Sequence, residues 1–134
     1  MNRLFETEAG YFTPDGSEFV ITTPRTPRPW ANVVSNGDTG FIVSQAGGGY
    51  SWRTNAQVNR ITRWEQDVIK DEWGKFLYLQ DLESGSVWSA AWKPVCEEPE
   101  HYEVRYGAGY ATFVSRLFGI ESTWTMFIPV DDPV

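Results

Sequence analysis

Apolar and polar residues alternate with a period of two through much of this chain, and helical periodicity is almost absent. Tyr102, Val104 and Tyr106 alternate with His101, Glu103 and Arg105, which predicts a strand with one dry and one wet face. After Gly119, Ile120, Trp124, Met126 and Ile128 fall on the side predicted to face inward. Glu121, Thr123 and Thr125 fall on the other. Glu18–Thr23, Thr39–Gln45, Lys75–Gln80 and Ser86–Trp92 read as further strands, because β-branched and aromatic residues dominate them.

Turn chemistry falls between these runs. Pro14-Asp15-Gly16 predicts a turn between Gly10–Phe12 and Glu18–Thr23. Glu83-Ser84-Gly85 closes a hairpin between Phe76–Leu82 and Ser86–Trp92, and Gly107-Ala108-Gly109 and Phe118-Gly119 punctuate the last three strands. Many short strands at this spacing predict an all-β fold, an antiparallel β-sandwich or barrel. Two stretches do not fit strands. Thr23–Trp30 holds three prolines and reads as an extended crossover that ends on an anchoring Trp30. Glu65–Gly74 is charged and reads as a loop with at most one helical turn. The closing run from Phe127 to Val134 looks like a turn into a further strand. A sheet ending there would expose an edge, so residues 1–134 read as one domain and as a fragment of a longer protein.

Composition narrows the classes of partner. The net charge of −7 and the lack of any Lys/Arg cluster argue against nucleic acid. Cys96 is the only cysteine and reads as a half-buried small residue, so neither an internal disulfide nor a thiolate metal cluster is expected. No stretch approaches the ~20 apolar residues of a membrane span, and Met1–Gly10 lacks the apolar run of a signal peptide. The default location is the cytoplasm.

One passage carries candidate binding chemistry. Gly47-Gly48-Gly49-Tyr50-Ser51-Trp52-Arg53-Thr54-Asn55 sets aromatic faces beside an Arg and an Asn after a glycine run that permits close turning. Sugars present apolar C–H faces to aromatic rings and hydroxyls to planar hydrogen-bonding groups. Tyr50, Trp52, Arg53, Asn55 and Arg60 are therefore the candidate carbohydrate contacts; a hairpin of ordinary core aromatics is the plainer alternative. The carboxylates Asp15, Asp38, Asp71, Glu72, Asp81, Glu83, Glu97, Glu98, Asp131 and Asp132 lie in turns and charged loops and read as solvated surface. Sugar hydrolysis needs two carboxylates facing across a cleft ~5–10 Å wide, and none of these is marked as such a pair. His101 is the only histidine, which makes a poor metal site, so no metal is expected.

A longer pattern runs through Tyr11-Phe12, Glu18–Thr22, Pro27–Asn32, Gly40-Phe41, Gly48–Trp52 and Asn59–Arg63. It continues through Tyr78–Asp81, Val87–Ser89, Pro94-Val95, Arg105–Gly107 and Phe127–Pro129. In order and spacing this resembles the N-terminal β-sandwich domain of inverting glycoside phosphorylases of the cellobiose and chitobiose type. It resembles even more closely the phosphorylase-like region of cyclic β-1,2-glucan synthases, in Gly48–Trp52 and in the closing Pro129–Val134. The resemblance implies an incomplete N-terminal part of a galactose-mutarotase-like super-sandwich. In the family that sandwich precedes a linker and an (α/α)6 barrel, which carries the general acid and the phosphate-binding groups. Inorganic phosphate is the co-substrate there, and no other cofactor is implied. None of those barrel positions exists in this sequence, so no catalytic residue carries over and the chain alone is expected to be inactive. The implied partners are a β-glucoside oligosaccharide, the helical barrel of the parent chain and a second subunit. A glucan synthase parent would place the domain at the cytoplasmic side of the inner membrane. Two other functions compete: a free-standing carbohydrate-binding module that uses its aromatics as a platform, and a purely structural dimerisation domain.

Overall fold

A computed structural model describes residues 3–131 except 66 and 68. Its strands are β1 (Gly10–Phe12), β2 (Phe19–Ile21), β3 (Ala31–Ser35), β4 (Thr39–Ser44), β5 (Gly49–Arg53), β6 (Tyr78–Gln80), β7 (Val87–Ser89), β8 (His101–Gly107), β9 (Tyr110–Leu117) and β10 (Ile120–Phe127). They form a five-stranded sheet in the order β1-β2-β8-β9-β10, a three-stranded sheet β3-β4-β5 and a two-stranded ribbon β6-β7. Every pairing is antiparallel, and no helix occurs among the described residues. The all-β expectation is met.

Alternation explains how the layers meet. One cross-strand row of the large sheet runs Ile21, Val104, Phe113 and Trp124, each directly opposite the next. Val34, Phe41 and Val43 of the three-stranded sheet pack into the same core, with Tyr102, Ala91 and Ala111. Two sheets sharing one dry interior make a sandwich, and burying these side chains out of water is its main stabilisation. His101 stays exposed on the wet face of β8, as the alternation requires.

Several polar groups in the core are tied off. The Gln45 side chain accepts from Trp30 N at 2.8 Å and donates to the Pro24 carbonyl at 2.9 Å, which pins both ends of the proline-rich crossover. The Tyr102 hydroxyl donates to Gln45 O at 2.6 Å, and the Tyr106 hydroxyl lies 2.8 Å from Trp30 O. These two bonds lock β8 to the opposite layer. Burial pushes both phenols above their ordinary pKa, so they remain neutral donors. Phe118 and Gly119 both adopt positive φ, 51° and 73°, the conformation of a two-residue hairpin turn. The turn therefore has the chemistry the Phe118-Gly119 pair predicts.

Three expectations need correction. Ile120 shares a face with Trp124 but is 45% exposed, because it sits at the turn, beyond the reach of the opposite layer. Cys96 is exposed rather than half-buried, since it stands in the loop that leads from Trp92 to β8. Asp71 is not a solvated loop carboxylate. It accepts from the Ser44 hydroxyl at 2.5 Å and sits against Gly48. In the Glu65–Gly74 stretch, one bond from Asp71 N to Asp67 O marks a single turn; residues 66 and 68 lie outside the described residues.

Candidate functional site

The candidate passage forms the turn after β4 and the whole of β5. Gly49 has φ +141° and runs so close to β4 that a Cβ would stand 2.0 Å from the Ile42 carbonyl oxygen. Only glycine meets both conditions. At Gly48 a Cβ would stand 2.1 Å from the Asp71 carboxylate, which holds the following loop down on the glycine run. Gly49 N then donates to Trp73 O at 2.6 Å. The triple glycine is thus a surface for close backbone packing.

Beyond it, Tyr50 and Trp52 project from alternate positions of β5, on one side of the strand. Their rings lie 5.6 Å apart, and Trp64 stacks on Tyr50 at 4.8 Å. The Arg60 guanidinium lies over both the Tyr50 and Trp64 rings, at 5.1 and 5.2 Å. Backbone bonds hold it there: Ile61 N donates to Ser51 O, and Arg53 N to Asn59 O. Tyr50, Trp52 and Arg60 therefore meet, with Trp64 as a fourth member. Tyr50 is buried at 7% exposure, while Trp52 and Trp64 are half-buried. The Trp52 ring also fills the space over Gly40, its cross-strand partner.

Arg53 and Asn55 are engaged elsewhere. Arg53 pairs with Asp38 at 3.2 Å. The Asn55 side chain accepts from Gln57 N at 2.8 Å and Val58 N at 3.0 Å, closing a local turn. Both are exposed.

Sequence reasoning missed a second feature beside this cluster. Between β4–β5 and β10 lies an open apolar groove of about 470 Å³, walled by Phe41, Ile61, Trp124, Met126 and Ile128. Lys75 lines it: its amine donates to the Ser51 hydroxyl at 2.6 Å and lies 4.6 Å from the centre of the Phe41 ring. Burial lowers the pKa of this amine. Thr39 lines the groove as well, and its buried Oγ1 has no hydrogen-bond partner among the described residues. The available signal was Gly74-Lys75-Phe76, a lysine set directly into an aromatic run. No group of three or more metal-ligating side chains occurs among the described residues.

Residues 17–134 match the family model described as glycosyl hydrolase 94, supersandwich domain. The chain belongs to this family. It is 38% identical over 122 residues to an N,N'-diacetylchitobiose phosphorylase of Vibrio furnissii, covering 90% of this chain and 15% of that protein. It is 33% identical over 115 residues to a cyclic β-(1,2)-glucan synthase of Rhizobium meliloti, covering 84% of this chain and 4% of the synthase. A solabiose phosphorylase of Paenibacillus borealis is 32% identical over 128 residues, covering 93% of this chain and 16% of the relative. This supersandwich domain therefore spans a small part of the relatives it matches. No described helix of it is long and apolar enough to cross a membrane.

Proposed function

We propose that this chain is a non-catalytic, N-terminal supporting domain of a β-glucoside phosphorylase or cyclic β-glucan synthase. In this reading a separate helical barrel carries the chemistry and binds inorganic phosphate and the oligosaccharide. The supersandwich domain braces that barrel and contributes to a homodimer, in the cytoplasm or at its membrane face. The observation that carries the reading is the extent of the match: nine-tenths of this chain aligns with 15% of a phosphorylase. The half-covered inner face of β10 supports it, since Trp124, Met126 and Ile128 line a groove open to solvent.

The carbohydrate-binding-module reading finds less support. A sugar platform needs an open aromatic face, and the Tyr50 ring is already covered by Trp64 and Arg60. Arg53 Nε is directed at Asp38 and the Asn55 side-chain oxygen at the local turn, so neither group is aimed at the aromatic cluster. Calorimetric titration with β-glucan oligosaccharides separates the two. The supporting-domain reading predicts no measurable heat of binding. Saturable binding that Trp52→Ala or Arg60→Ala abolishes would establish a module instead.

A further inference from the structure

We propose that the groove between β5 and β10 receives an extended, apolar segment of the larger protein, and that this segment brings one carboxylate to Lys75. The proposal rests on the supporting-domain reading above and names the docking surface.

Shape is the first argument. Among the described residues β10 pairs with β9 on one side only, so its other edge presents free backbone donors and acceptors. Beside that edge run the apolar walls of the groove. An unpaired edge next to an apolar trough suits a strand, which gains main-chain bonds from the edge and buries alternate side chains in the trough.

Charge is the second argument. An ammonium group has three donors, and Lys75 places one on the Ser51 hydroxyl. The Phe41 ring gives it a weak electrostatic partner. No carboxylate lines the groove, and Lys75 takes part in none of the ion pairs among the described residues. Burial lowers the pKa of this amine, so it is a partly desolvated cation with no counter-ion among the described residues. A single cation in an apolar groove is complementary to an apolar visitor that carries one carboxylate.

Fluorescein-labelled hexapeptides of alternating valine and threonine, carrying a central aspartate, asparagine or lysine, test this by anisotropy titration of the chain. The aspartate peptide is expected to bind about tenfold more tightly than the asparagine peptide, with the lysine peptide weaker still. Lys75→Met should erase that preference while leaving circular dichroism unchanged and the fold no less stable, and Lys75→Arg should retain it. Equal binding of the aspartate and asparagine peptides would overturn the proposal, as would a preference that survives Lys75→Met. Failure of every peptide to bind would overturn it too, and binding of octanoate alone would reassign the groove to a small amphipathic acid. The supporting-domain reading fails on a different result, catalytic turnover by the isolated chain, so the two are separable.

Discussion

Gly49 shows how much one residue decides in this domain. Its φ of +141° and the 2.0 Å approach that a Cβ would make to Ile42 O leave no room for alanine. Gly49→Ala should cost more than about 1 kcal/mol, read as a lower urea midpoint, because both strain and a broken β4–β5 ladder contribute. An unchanged midpoint would mean the strand pairing is wrong. Asp15 offers a test by titration. The Thr13 hydroxyl donates to its carboxylate at 2.6 Å and Ser17 N at 3.1 Å, which pulls its pKa from 3.8 down to about 2. A depressed carboxylate contributes stability that is present above its unfolded pKa and lost as pH falls through the folded one. The window is therefore about pH 4 to 2. Carbon-detected NMR should place the Asp15 midpoint well under 3; a midpoint at the ordinary value would remove the turn network. The residue types of the site were legible in the sequence, but their pairings were not. Tyr50, Trp52 and Arg60 do converge, whereas Arg53 and Asn55 are taken by Asp38 and by the turn, and no local pattern reveals either.

Among the elements, β10 is the informative one. Trp124 lies 5.6 Å from Phe113 and packs on the core, yet it is only half-buried because it also lines the open groove. Trp124→Ala should destabilise the chain by ~2–4 kcal/mol, at or below the usual cost of truncating a fully buried aromatic. A melting temperature equal to the parent's would contradict the inward face assigned to this strand. Lys75 predicts the opposite sign. Its amine carries a desolvation cost that Met would not, so Lys75→Met should raise the melting temperature by about 2–4 °C. Because its folded pKa lies below the unfolded value, the penalty on the charged form should ease as pH rises toward the ordinary lysine range. Period-two alternation made β8 and β10 readable in advance, and β-branched and aromatic composition did the same for β2, β4, β6 and β7. β3 and β5 were hidden, one behind a proline run and the other in a passage rich in glycine and polar groups. The pairing of β2 with β8 joins residues far apart in the chain, so tertiary packing and not local preference selects it.

At the scale of the molecule, apolar surface is left open where the supporting-domain reading needs a partner. Trp30, Trp52 and Trp64 are each half-buried, Trp30 against Phe19 and the other two around Tyr50. The open trough lies along β10. An open apolar trough of this kind marks an interaction surface, where scattered apolar residues would not. The native chain should therefore bind a hydrophobic dye or self-associate; a clean monomer without dye binding at high concentration would favour a self-contained module. The most direct test of the account is phosphate release from α-glucose 1-phosphate, assayed with the purified chain and a glucose or oligosaccharide acceptor. A supporting domain predicts a rate equal to the buffer background. Turnover that disappears when one carboxylate of this chain is replaced would contradict it.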